Sequence, residues 1–187
     1  PLDAADRMLL THDRRAGGEV ADYLESLGHR HFGLITGPER YRSSIERGGG
    51  FRDGLAQRGI TLAATAIYEG GYTFESGVAG ADYLLKQTPR PTAIFACNDE
   101  MAAGVYKAAL RMGMSIPGDL SVVGYDDSPL ASQLWPALTT IHLPVRDLGR
   151  EAVRLLLKKD EAGSRAGPAA FTVSPHLVVR DSTQPPR

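Results

Sequence analysis

Five polar side chains of this sequence could act together: Ser43, Arg47, Tyr72, Asn98 and Asp126. A carboxylate such as Asp126 accepts paired hydroxyl hydrogen bonds, and a guanidinium such as Arg47 donates through a rigid fork. The Asn98 amide does both, and the Tyr72 ring offers a flat apolar face to a sugar ring or a base. Such a set suits a neutral, hydroxyl-rich small molecule. Each residue also has a plainer reading. Asn98 and Asp99 could cap a helix starting near Glu100. Arg47 could be a solvated helix residue, and Tyr72, in a Gly-Gly-Tyr turn, an ordinary surface aromatic. Asp127 reads as a brace for its loop.

The elements that deliver these residues make them a set. Short strands are predicted over 31–36, 60–67, 92–97 and 120–125. Ser43 and Arg47 follow the first, Tyr72 the second, Asn98 the third and Asp126 the fourth. In a parallel sheet all carboxyl ends lie on one edge, where ligands bind. The fourth strand is the clearest: Val122 and Val123 suit a buried parallel strand, and Gly124 marks a close approach of the backbone to something. Helical spacing links the strands. Val20, Tyr23, Leu24 and Leu27 form one face that stops at Gly28; Val78, Ala81, Leu84 and Leu85 form another. Met101, Val105, Ala108, Ala109 and Met112 form a third, with Gly113 in the C-terminal cap position. Three successive βα units imply an α/β fold, a parallel sheet with helices on both faces.

The helix expected over 44–58 contains Gly48-Gly49-Gly50. At about 1 kcal/mol per interior glycine relative to alanine it should be weak or start late, unless close packing demands the glycines. Beyond the fourth strand, 136–141 reads as extended and Pro144 breaks it. An amphipathic helix follows with Leu148, Ala152, Leu155 and Leu156 on one face. Residues 160–169 read as a loop, 171–180 as a last strand and 182–187 as a frayed tail. Residues 8–11 are a further strand candidate ahead of the first helix.

Composition excludes several classes. The 187 residues, 42% hydrophobic, allow one large or two small domains with a sizeable core. With 21 basic and 22 acidic residues the net charge is −1, which gives no field to attract DNA or a membrane surface. The single cysteine, Cys97, lies in an apolar strand and reads as a small buried hydrophobe. No signal peptide or membrane-spanning stretch is evident, which points to a cytoplasmic protein. The Asp126-Asp127 pair could suggest a magnesium or aspartyl-phosphate site, but the other strand ends supply no second acidic cluster. His29 and His31 share a strand face without a third ligand, so they read as structural. No metal or cofactor is expected, and the chain does not read as an enzyme.

With these residues in place, the chain resembles the effector-binding domain of the lactose-repressor (LacI/GalR) family of transcriptional regulators. The likeness is carried, in order, by Tyr23-Leu24-Glu25-Ser26-Leu27-Gly28-His29-Arg30, Arg47-Gly48-Gly49-Gly50-Phe51 and Pro91-Thr92-Ala93-Ile94-Phe95-Ala96-Cys97-Asn98-Asp99-Glu100. Ile116-Pro117-Gly118-Asp119-Leu120-Ser121 running into Asp127, Leu138-Thr139-Thr140-Ile141 and Leu177-Val178-Val179-Arg180-Asp181 complete it.

The resemblance implies a type I periplasmic-binding-protein-like fold with two subdomains and an effector in the cleft between them. The carboxyl-terminal subdomain would comprise 12–140 plus 170–183. Residues 1–11 plus 143–160 would be the remnant of an incomplete amino-terminal subdomain, and 184–187 a tail. Ser43, Arg47, Tyr72, Asn98 and Asp126 match pocket positions of the family; Val145 stands where an aromatic often packs on the effector. The expected function is allosteric effector sensing by a homodimer. Its effector would be a sugar, polyol or nucleoside, and operator DNA would be reached only through a helix-turn-helix domain absent from this sequence. The alternative is a periplasmic sugar-binding protein of a transport system.

Overall fold

In the computed structural model, residues 10–157 and 172–187 are described. The elements in chain order are β1 (Leu10–Thr11), α1 (Asp13–Ser26), β2 (Phe32–Thr36), α2 (Arg42–Gln57), β3 (Ile67–Glu69), α3 (Phe74–Leu84) and β4 (Ala93–Ala96). They continue with α4 (Asp99–Arg111), β5 (Ser121–Asp126), α5 (Pro129–Gln133), β6 (Thr139–His142), α6 (Val145–Leu157), β7 (Thr172–Val173) and β8 (His176–Val178).

Six strands form one sheet in the order β3-β2-β4-β5-β6-β8, parallel from β3 to β6 with β8 antiparallel at the edge. A second, two-stranded parallel sheet pairs β1 with β7. Helices α1 and α2 pack together over one face of the large sheet, and α3 and α4 over the other. Alternation along β2 shows the sidedness: Leu34 lies against Gly48 of α2, whereas Ile35 lies against Gly80 of α3. Phe51 meets the rings of Phe32 and Phe95 edge-on or tilted, at 6.0 and 5.2 Å. Each such fully buried side chain contributes roughly 1.5–3 kcal/mol.

Four local expectations are corrected. Helix α2 is neither weak nor late: it runs unbroken for 16 residues. Its glycines permit backbone contact with α1, since a Cβ on Gly50 would lie 1.8 Å from the Arg14 carbonyl oxygen. The second strand, predicted over 60–67, forms instead at Ile67–Glu69, because Ala64–Ala66 turn as a 3-10 helix just before it and only Ile67–Glu69 pair with β2. The last predicted strand is two pieces in different sheets, interrupted at Pro175, which has no N–H for a ladder; Phe171 lies outside the described residues. The tail is not frayed. Ser182 is buried, its hydroxyl donating to the Val122 carbonyl (2.6 Å) and accepting from Thr139 N–H (2.8 Å). The expected loop at 160–169 and residues 8–9 also lie outside the described residues, while β6 and α6 form where extended chain and an amphipathic helix are predicted.

Candidate ligand-binding site

Strand β2 has β3 on one side and β4 on the other, so the chain reverses its direction of growth across the sheet between β2 and β4. That is where an open α/β sheet leaves a crevice at its carboxyl edge. Arg47, projecting from α2, reaches the carboxyl ends of β4 and β5 on this edge. Its Nη1 donates to the Cys97 carbonyl, one residue beyond β4 (2.8 Å), and to Asp126 Oδ1 at the end of β5 (3.2 Å). Its Nε donates to Asp13 Oδ1 at the start of α1 (3.3 Å). The guanidinium lies 3.7 Å above the centre of the Tyr125 ring. Arg47 is therefore a buried, four-way contact and not a solvated helix residue. Burial alone would lower its pKa, but Asp126, Tyr125 and Asp13 raise it, so the positive charge is secure.

Asp126 pairs with this cation through one oxygen, and its Oδ2 accepts nothing from the described residues. Burial, opposed by Arg47 and reinforced by Asp99 and Asp13, pushes its carboxyl up to about 6. Tyr72, Asp126 and Asp127 all have positive φ (62°, 110° and 54°), conformations that cost a non-glycine residue of order 1–3 kcal/mol. Backbone strain thus collects where the polar groups converge. Gly124 has the role expected of it: a Cβ there would lie 2.4 Å from Asp99 Oδ1. Asp99 is buried and accepts from Thr140 Oγ1 and Ser128 N–H, which locks the β5–α5 turn.

The remaining residues form a second linked group on the same edge. The Ser43 and Tyr72 hydroxyls are 3.3 Å apart, and Asn98 Nδ2 donates to the Tyr72 carbonyl (3.1 Å). The Tyr72 ring fills the space over Gly37, where any Cβ would fall within 2.6 Å of it. Asn98 is also the N-cap of α4, its Oδ1 accepting from Met101 N–H, as the cap reading expects. The structure thus brings Ser43, Arg47, Tyr72, Asn98 and Asp126 together. Asp127 braces the loop, held by Arg180 (2.6 Å) and His142 (2.8 Å). Cys97 is buried, its thiol pushed up to about 12 by burial. His29 is a satisfied buried histidine, while His31 is exposed.

Two participants escape sequence reasoning. Asp13 is buried and accepts from Arg47 Nε, the Tyr125 hydroxyl (2.5 Å) and Thr11 Oγ1. Tyr125 supplies the ring beneath the guanidinium. Asp13 precedes the first long strand, so no strand-end rule selects it. An open groove of about 490 Å³ lies elsewhere, lined among others by Arg14, Leu34, Thr36, Gly48 and Glu69. None of the five residues lines it. Among the described residues no cluster of three metal-binding side chains occurs, and no helix is long and apolar enough to cross a membrane.

Residues 21–183 match the family model of a periplasmic binding protein-like domain. The sequence is 38% identical to the ribose operon repressor of Haemophilus influenzae over 179 residues, covering 95% of this chain and 53% of that protein. It is 34% identical to the HTH-type transcriptional regulator CelR of Thermobifida fusca, covering 89% and 48%. Among solved structures, a CelR–cellobiose complex superposes with a TM-score of 0.88 at 31% identity, over 97% of this chain and 56% of that one. A sugar-binding LacI-family regulator from Escherichia coli, complexed with phosphate, gives 0.86 at 32%, over 95% and 63%. The chain spans about half the length of the curated relatives it matches.

Proposed function

The chain belongs to the periplasmic-binding-protein-like effector domains of LacI-family transcriptional regulators, and on that premise we propose that it senses a small neutral effector, a sugar or polyol, at the carboxyl edge of its large sheet. The observation that carries this reading is the Arg47–Asp126 pair. It lies at the carboxyl ends of β4 and β5 with Asp126 Oδ2 unpaired and Arg47 Nη2 donating to none of the described residues. A vicinal diol fits such a pair: the carboxylate accepts from hydroxyls while the guanidinium donates to their oxygens. Ser43, Asn98 and the Tyr72 ring extend the surface. The ribose and cellobiose in the relatives' names belong to the same chemical class.

The proposed activity is binding, not catalysis, exercised in the cytoplasm. The large sheet and its helices form the effector-holding subdomain, and the small β1–β7 sheet belongs to the other. Effector bridging the cleft changes the angle between them and so the spacing of two DNA-binding heads in a homodimer. Only a difference in effector affinity between the two arrangements can drive that change. The dimer proposal is supported by two large apolar side chains, Trp135 and Leu110, that stand largely exposed. Isothermal titration of the full-length regulator with ribose, cellobiose and related sugars tests the site. Asp126→Ala and Arg47→Ala should abolish the heat of binding; variants that bind as tightly as the parent would overturn the assignment.

A further inference from the structure

We propose that Asp13 is a positioning residue of this site: by drawing the Nε of Arg47 away, it keeps the guanidinium from closing on Asp126 and leaves that carboxylate open to ligand. The proposal rests on the reading of the site given above and adds how its open state is maintained. An isolated arginine and carboxylate prefer a bidentate, fork-to-fork pair that uses two parallel N–H groups and both oxygens. Here the pair is single and long, 3.2 Å between Nη1 and Oδ1, with Oδ2 unused. Two of the three guanidinium nitrogens are committed elsewhere, and Nη2 donates to none of the described residues. Nε goes to Asp13 Oδ1 at 3.3 Å, and Nη1 is shared with the Cys97 carbonyl at 2.8 Å. The ring of Tyr125 beneath fixes the guanidinium plane.

Asp13 is well held for this task. It is 6% exposed. One oxygen takes the Tyr125 hydroxyl and Arg47, while the other takes Thr11 Oγ1 from β1, the strand of the small sheet. The competitor for Arg47 is thus anchored to both sheets, and the Asp126 carboxylate is left half-coordinated. Removing the Asp13 charge frees Nε, and the guanidinium then turns onto Asp126 and satisfies it internally. Ligand hydroxyls must displace that pairing, so affinity falls although no ligand-contacting group has been changed.

The charged groups acting on Asp126 are Arg47 from α2, Asp99 from α4 and Asp13 from α1; Asp127 adjoins it in sequence, and its partner in the β-ladder is His142. Asp13→Asn removes one like charge and strengthens the Arg47 pairing, and both changes favour the ionised carboxylate. The test is a carboxyl-carbon NMR titration of Asp126 in the full-length protein, with melting curves to verify folding. The Asp126 midpoint should move down from about 6 in Asp13→Asn, or in Asp13→Ser if the first does not fold. It should stay near the parent value in Asp13→Glu, which keeps the charge. A second arm measures affinity for ribose and cellobiose, expected to fall about 10-fold in Asp13→Asn and to recover at least partly in Asp13→Glu. An unmoved midpoint in the neutral variants overturns the proposal, because loosening alone would lower affinity without shifting it. A moved midpoint in a protein whose parent binds none of the sugars upholds the charge diversion and overturns the sugar reading instead.

Discussion

The two edges of the parallel sheet carry polar clusters of opposite character. At the amino-terminal edge, His29 Nδ1 meets Thr92 Oγ1 (2.8 Å), and its Nε2 faces Ser121 Oγ (3.2 Å) and the Gln184 carbonyl (3.0 Å). Ser182 stitches the tail to β5 and β6. The groups of that network are hydroxyl, imidazole and backbone groups, and among the described residues they are mutually satisfied. At the carboxyl edge the groups are charged, three residues have positive φ, and a carboxylate oxygen and a guanidinium nitrogen are left over. A saturated cluster has nothing to offer a ligand and serves only cohesion. The left-over atoms of the other are not buried without partners, and it is there that polar atoms remain available.

The largest effect should come from breaking the charged edge. Arg47→Ala strips Asp13 of its buried countercharge, and loss of one partner of a buried pair costs about 3–5 kcal/mol. Urea denaturation should show that loss together with loss of sugar binding. If stability is unchanged, Arg47 is not the centre of the cluster.

A smaller effect is expected at the sealed edge. Ser182→Ala leaves the Val122 carbonyl and Thr139 N–H without partners, a cost of about 1–3 kcal/mol. Effector affinity should not change. A drop in affinity beyond about twofold would show that the two edges communicate, contrary to their separate networks.

The contrast also explains what was legible in the sequence. The clustering of the five candidate residues could be anticipated because a parallel sheet brings every strand's carboxyl end to one edge, whatever the strand lengths. Asp13 could not, since its role depends on α1 packing across α2. The continuity of α2 through Gly48–Gly50 was hidden for the same reason. Helix propensity counts glycine as a loss, while only the packed pair shows Gly17 and Gly50 each facing the other helix's backbone. The tail misled because Ser182-Thr183-Gln184-Pro185-Pro186 is polar and proline-rich. Its partners, Ser121, Val122 and Thr139, lie some 40 residues or more away in sequence.

The subtlest prediction uses pH to separate the edges, because their titrations act in opposite directions. Burial raises Asp126 to about 6, above the ordinary aspartate value of 3.8, so the ionised form is the costly one in the fold. Stability from this group is present at low pH and lost as pH rises through about 6. Burial lowers His29 below its ordinary 6.5, so the fold favours the neutral ring. Stability from this group is present above about 6.5 and lost as pH falls. Between about pH 7 and pH 5 the two contributions partly cancel in the parent. Asp126→Asn should melt higher than the parent near pH 7.5, and it should lose stability more steeply on acidification. His29→Gln, which can keep hydrogen bonds without titrating, should gain stability over the same interval. Parallel melting profiles in the two variants would mean that the edges do not differ in the way their polar groups indicate.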